Sequence, residues 1–130
     1  MNSGHEQPSE RALVVVVDDD ESVRESLPDL LKEFGFSVRA FASAKEFLES
    51  DCNGRTKCLL LDLAMNGMSG FDLQLELKAR GRKVPIIFIT GQKDDALRLR
   101  AFQQGAAGFL LKPFSDTDLL TTLNTAMGAS

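Results

Sequence analysis

Residues 12–21 read Ala-Leu-Val-Val-Val-Val-Asp-Asp-Asp-Glu, and the order of chemistry in this stretch decides the fold. Val14 to Val17 is an unbroken β-branched run, the pattern of a strand buried on both faces, and such strands occur in parallel sheets that helices cover on each side. The run stops abruptly at four consecutive acids. Beyond them Val23, Leu27, Leu30, Leu31 and Phe34 recur at helical spacing as far as Gly35, so the local order is strand, acidic loop, helix. Pro28 falls inside that helix and removes one backbone hydrogen bond, from which a kink is expected.

The same alternation runs to the end of the chain. Residues 36–41 read as a half-exposed strand, and Ser43 with Glu46 forms a capping box for a short helix carrying Phe47 and Leu48. Residues 58–61 form the next buried strand, which ends at Asp62; Gly67 and Gly70 mark a loop, and Leu73 and Leu77 set a helix running to Gly81. Residues 85–89 make a fourth strand ending at Thr90. A helix spans about residues 94–104, and residues 107–111 make a fifth strand. Ser115 and Asp118 cap a last helix with Leu119, Leu120, Leu123, Ala126 and Met127 inward. Five strands alternating with five helices predict a three-layer, doubly wound α/β domain with a five-stranded parallel sheet, flavodoxin-like, in the order 2-1-3-4-5.

Length and composition agree with one such domain. The chain has 130 residues, 43% of them hydrophobic and 26% charged, which is the composition of an ordinary globular domain and excludes disordered and disulfide-scaffold classes. The longest apolar run, residues 12–17, is far too short to span a bilayer. Residues 1–11 read as a flexible polar tail without the apolar stretch of a secretory signal, so a cytoplasmic protein is expected, with residues 12–127 as the domain and 128–130 as a tail or the start of a linker. With a single histidine, His5, and two cysteines, Cys52 and Cys58, no four-ligand Cys/His zinc site can be assembled; both cysteines are read as reduced thiols.

The net charge of −4 comes from one place. Apart from Asp18, Asp19, Asp20 and Glu21, the other fifteen acids match the fifteen Lys and Arg. In an open parallel sheet, ligands bind outside the carboxyl ends of the strands where the strand order reverses. Asp18 and Asp19 stand at the end of the first strand, Asp62 after the third, Thr90 after the fourth and Lys112 after the fifth. The first and third strands are neighbours, so three carboxylates converge, repelling one another by roughly 1 to 4 kcal/mol per pair before screening. Such crowding should raise at least one carboxylate pKa. Three carboxylates against one ammonium leave two negative charges, which a hard divalent cation cancels, and an oxygen-only ligand set suits magnesium. Asp62 is then placed as a nucleophile for phosphoryl transfer, with Lys112 and the cation on the phosphoryl oxygens and the Thr90 hydroxyl as a donor.

From about residue 13 to 127 the chain resembles the receiver domain of two-component response regulators. Val17-Asp18-Asp19 is similar to that family's acidic pair, Asp62-Leu63-Ala64-Met65 to its phosphoacceptor loop, Thr90-Gly91 to its hydroxyl position, and Phe109-Leu110-Leu111-Lys112-Pro113-Phe114 to its aromatic switch and lysine. The resemblance implies a phosphorylation-dependent signalling switch: a histidine kinase donates a phosphoryl group to Asp62, Thr90 moves toward it, and Phe109 turns inward. It further implies that magnesium takes the backbone carbonyl of Ala64, that the Lys112–Pro113 peptide is cis, and that the domain catalyses its own phosphorylation and dephosphorylation without being a turnover enzyme. The surface of the fourth helix, fifth strand and fifth helix would then control a phosphorylation-dependent homodimer or an output domain. Ile89-Thr90-Gly91 with Lys112-Pro113-Phe114 looks most similar to regulators carrying a C-terminal helix-turn-helix domain. The chain departs from the pattern at Asn66, where receivers usually have proline.

Other features have plainer readings. Asp20 and Glu21 suit an N-cap and a helix-dipole partner. Lys78, Arg80, Arg82 and Lys83 complement a helix C-terminus, so no direct nucleic acid binding is expected of this domain. The stripe Ala96, Leu97, Leu99, Ala101 and Phe102 fits either plain core or a partner-binding surface. A dehalogenase-type phosphotransferase would need a second acid at Ala64, and a nucleotide module would need a glycine-rich loop where the acids stand.

Overall fold

The computed structural model describes residues 11–65 and 67–128. Strands β1 (Leu13–Val17), β2 (Ser37–Phe41), β3 (Cys58–Asp62), β4 (Ile86–Thr90) and β5 (Gly108–Leu111) alternate with helices α1 (Glu21–Glu33), α2 (Ala44–Glu49), α3 (Gly70–Ala79), α4 (Asp95–Gln103) and α5 (Asp116–Ala126). All strand pairs are parallel and the sheet order is β2-β1-β3-β4-β5, as expected. The expected tails fall almost entirely outside the described residues, and Asn66 falls wholly outside them.

Alternation along each strand divides the core in two. Val15, Val17, Leu59, Leu61 and Phe88 face a layer containing Phe47, Phe71, Leu73, Leu77 and Ala101, so α2, α3 and α4 cover that side. Val14, Val16, Leu60, Ile87, Ile89 and Leu110 face Leu27, Leu31, Leu119 and Leu123 of α1 and α5. The central strands β1, β3 and β4 are buried along their whole length, which is why they read as continuous apolar runs. Among the described residues no helix is long and apolar enough to cross a membrane.

Several local expectations meet their physical reasons here. Asp20 is the N-cap of α1, its carboxylate accepting from the backbone of Ser22, and Glu21 lies in the first turn. The α1 helix continues through Pro28 as one element. Ser43 caps α2, yet the Glu46 carboxylate accepts from the backbone of Ala42, one residue before the cap, so only half of the expected capping box forms. Ser115 caps α5, whose Leu119 and Leu123 are fully buried while Leu120 is half-buried. Pro85 lies just outside β4: it has no N–H to give to the ladder, and only its carbonyl takes part, accepting from Leu59 at 2.9 Å. Cys52 and Cys58 are free and buried on opposite faces of the sheet. Burial pushes the Cys58 thiol up to about 12, so it stays protonated.

The stripe on α4 separates into its two readings. Ala101 is buried and Leu97 packs against the core, whereas Leu99 is 59% and Phe102 40% exposed. In the basic run, Lys78 lies in the last turn of α3 and Arg80, its C-cap, pairs with Glu76 at 2.7 Å.

Candidate acidic site at the strand ends

Asp18 follows β1 directly and is completely buried. Each of its polar groups is engaged. Its N–H donates to the Phe41 carbonyl at 3.1 Å, its Oδ1 accepts from the Asp20 N–H at 2.9 Å, and its Oδ2 accepts from Lys112 Nζ at 3.0 Å. Its backbone carbonyl accepts from Arg24 Nη1 at 3.0 Å.

Asp62 is the last residue of β3 and is only 6% exposed. Its Oδ1 accepts from the Ala64 N–H at 3.2 Å, and its strand partner on β4 is Ile89, one residue before Thr90. One carboxylate oxygen from each of Asp18, Asp19 and Asp62 lies within 4.8 Å of the others, Asp19 being the exposed member. Burial and then the charge of Asp18 push the Asp62 carboxyl up to about 7, against the opposing pull of the Ala64 N–H and Lys112. The expectation that crowding raises a carboxylate pKa therefore falls on Asp62.

Two close approaches hold this corner together. A Cβ on Gly70, the first residue of α3, would lie 2.7 Å from the Asp62 carbonyl, so a side chain there collides with backbone. Lys112 N–H donates to the Thr90 carbonyl at 2.8 Å, tying the ends of β4 and β5. The Lys112–Pro113 peptide is cis. Thr90 is buried and its Oγ1 accepts from the Gln92 N–H at 3.1 Å. Phe109 on β5 is half-buried, and with Leu111, Gln92, Asp94 and Arg98 it lines a groove of about 190 Å³ at the start of α4.

The strand-end residues named from the sequence thus all lie at the carboxyl end of the sheet, and three of them form the acidic cluster. Lys112 is paired with Asp18. What sequence reasoning missed is Arg24, whose reach to Asp18 depends on the azimuth of α1, and the capping box between Ser69 and Asp72 that starts α3 beside the site. The spacing Ser-x-x-Asp was a readable signal for the second. Nothing in the local sequence signalled the first.

Three carboxylates thus cluster at the switch point of a 2-1-3-4-5 sheet, with a lysine from beyond β5 paired to one of them, an arrangement that suits phosphorylation-dependent signalling. Residues 14–124 match the response regulator receiver domain family, and the chain belongs to that family. It is 46% identical over 123 residues to nodulation protein W of Bradyrhizobium diazoefficiens, covering 95% of this chain and 54% of that protein. It is 44% identical over 114 residues to the transcriptional regulatory protein TdiR of Thauera aromatica, covering 88% of this chain and 50% of that protein. Among solved structures, the response regulator StyR superposes with a TM-score of 0.83 at 43% identity, over 92% of this chain and 60% of that one. The chain spans about half the length of the two relatives it matches.

Proposed function

We propose that this domain is a magnesium-dependent phosphoacceptor that takes a phosphoryl group from a histidine kinase onto Asp62 and passes the change to the α4–β5–α5 face. The observation that carries this reading is the convergence of Asp18, Asp19 and Asp62 within 4.8 Å beside an ammonium group. The donor set fits a hard cation: the carboxylates supply only oxygen ligands and excess negative charge, and Ala64 lies two residues after Asp62, where its carbonyl could add a neutral oxygen. When bound, magnesium supplies charge neutralisation for the phosphoryl oxygens.

The chain's own residues do the rest. An ionised Asp62 oxygen attacks phosphorus, an O–P bond forms, and the P–N bond to the kinase imidazole breaks, leaving its electron pair on the imidazole nitrogen. Lys112, whose ammonium keeps two N–H donors beyond the one aimed at Asp18, neutralises phosphoryl charge. The Thr90 hydroxyl, whose oxygen accepts from the Gln92 N–H, donates its own proton in a hydrogen bond to the phosphoryl group, and Phe109 moves into space beside α4. Hydrolysis of the acyl phosphate by water returns Asp62 and inorganic phosphate. The relatives' length and the name of TdiR support an output segment acting in transcription, joined after a domain comprising residues 12–127.

Acetyl phosphate replaces the kinase in a direct test. With magnesium, intact mass should show one added phosphoryl group. Chelation of the metal or Asp62→Asn should abolish it, and labelling that survives both overturns the assignment.

A further inference from the structure

We propose that Arg24 is a positioning residue for this site: by donating to the Asp18 carbonyl it fixes the β1–α1 turn and thereby sets the affinity for magnesium. The inference rests on the metal-binding reading above and extends it to a side chain that bears no carboxylate and lies outside the acidic cluster.

Asp18 is held by four contacts, of which two come from backbone N–H and C=O groups, those of Asp20 and Phe41. The third, Lys112, reaches Asp18 from beyond β5 and belongs to the phosphoryl-transfer machinery. Arg24 is the remaining one. It sits in the first turns of α1, six residues beyond Asp18, and its guanidinium bridges back to the end of β1 at 3.0 Å. A buried carbonyl beside buried carboxylates needs a donor, and removing it leaves that oxygen unsatisfied. The Asp18 side chain takes its other contact from the Asp20 N–H of the same β1–α1 turn, so the orientation of its carboxylate depends on the backbone that Arg24 secures. Groups that orient metal ligands in this way control affinity without touching the ion.

Two effects of Arg24 have opposite sign, which makes the inference testable. As a nearby cation it repels magnesium, so its loss would tighten binding through charge alone. As a positioning group it favours the ligand geometry, so its loss weakens binding. We expect the second to dominate, with magnesium affinity of Arg24→Ala falling roughly 10-fold, the lower end of what orienting partners carry. Arg24→Lys, which keeps a donor and the charge, should recover most of the loss. Arg24→Gln, too short to reach the carbonyl, should behave as the alanine variant does and serves in its place if alanine prevents folding.

The measurement is calorimetric titration of magnesium chloride into the parent and the three variants, alongside metal-free urea melts. Labelling by acetyl phosphate at saturating magnesium should return to near the parent rate in Arg24→Ala, which a general loss of structure would not allow. Unchanged or tighter magnesium binding in Arg24→Ala or Arg24→Gln overturns the proposal while leaving the metal site intact. Absence of magnesium binding by the parent overturns both.

Discussion

Asp62 carries the sharpest conflict between stability and chemistry in the molecule. Its carboxyl is pushed to about 7 by burial and by Asp18, whereas in the unfolded chain it titrates near 4. The folded state therefore binds this proton more tightly than the unfolded one. The corresponding stability is fully present below pH about 4 and is lost as pH rises through about 7. Urea melts of the parent and of Asp62→Asn in metal-free buffer should diverge across that window, the variant being more stable by about 1 kcal/mol or more at pH 8. Magnesium should raise the parent's midpoint by linkage. A variant less stable than the parent at pH 8 would mean that the fold satisfies the carboxylate. At this scale the sequence disclosed which residues meet, because strand ends in a parallel sheet are set by hydrophobic runs. It did not disclose that Lys112 pairs with Asp18, or that Arg24 joins them, since both depend on side-chain reach across elements.

Among the elements, α4 is the least anchored. Only Ala101 is fully buried, and Arg100 lies over the Phe71 ring at 4.1 Å, while Leu99 and Phe102, three residues apart on the helix, remain exposed, as does Leu111 of β5. Exposed apolar side chains gathered on one face mark a surface that another protein covers. Leu99→Ser should leave labelling by acetyl phosphate and the urea midpoint unchanged within about 0.5 kcal/mol. It should weaken phosphorylation-induced self-association or output binding by roughly 10-fold, equivalent to about 1.4 kcal/mol. Sedimentation with and without phosphodonor reads the first, and an unchanged response would place the output surface elsewhere. The stripe on α4 was visible in the sequence, but its division into core and surface was not, because hydrophobicity alone does not say which side of a helix lacks a partner. The caps were more legible: Asp20, Ser43 and Ser115 each accept a backbone N–H as their positions suggested.

At the scale of the whole molecule, the doubly wound architecture was readable from Val14 to Val17 outward, since strands buried on both faces require helices on both faces and right-handed crossovers then leave few strand orders. The strand order in turn brings Asp18, Asp19 and Asp62 to one place, so fold and site are a single consequence of the pattern. The central claim is that this place accepts a phosphoryl group on Asp62 and nowhere else. The most direct measurement is reduction of the acetyl phosphate-treated protein with borohydride, which converts an aspartyl phosphate to homoserine, followed by peptide mass mapping. Homoserine at position 62 alone, dependent on magnesium, is the predicted result. Homoserine at Asp18 or Asp19, or none at any position in a protein that has gained phosphoryl mass, would contradict it.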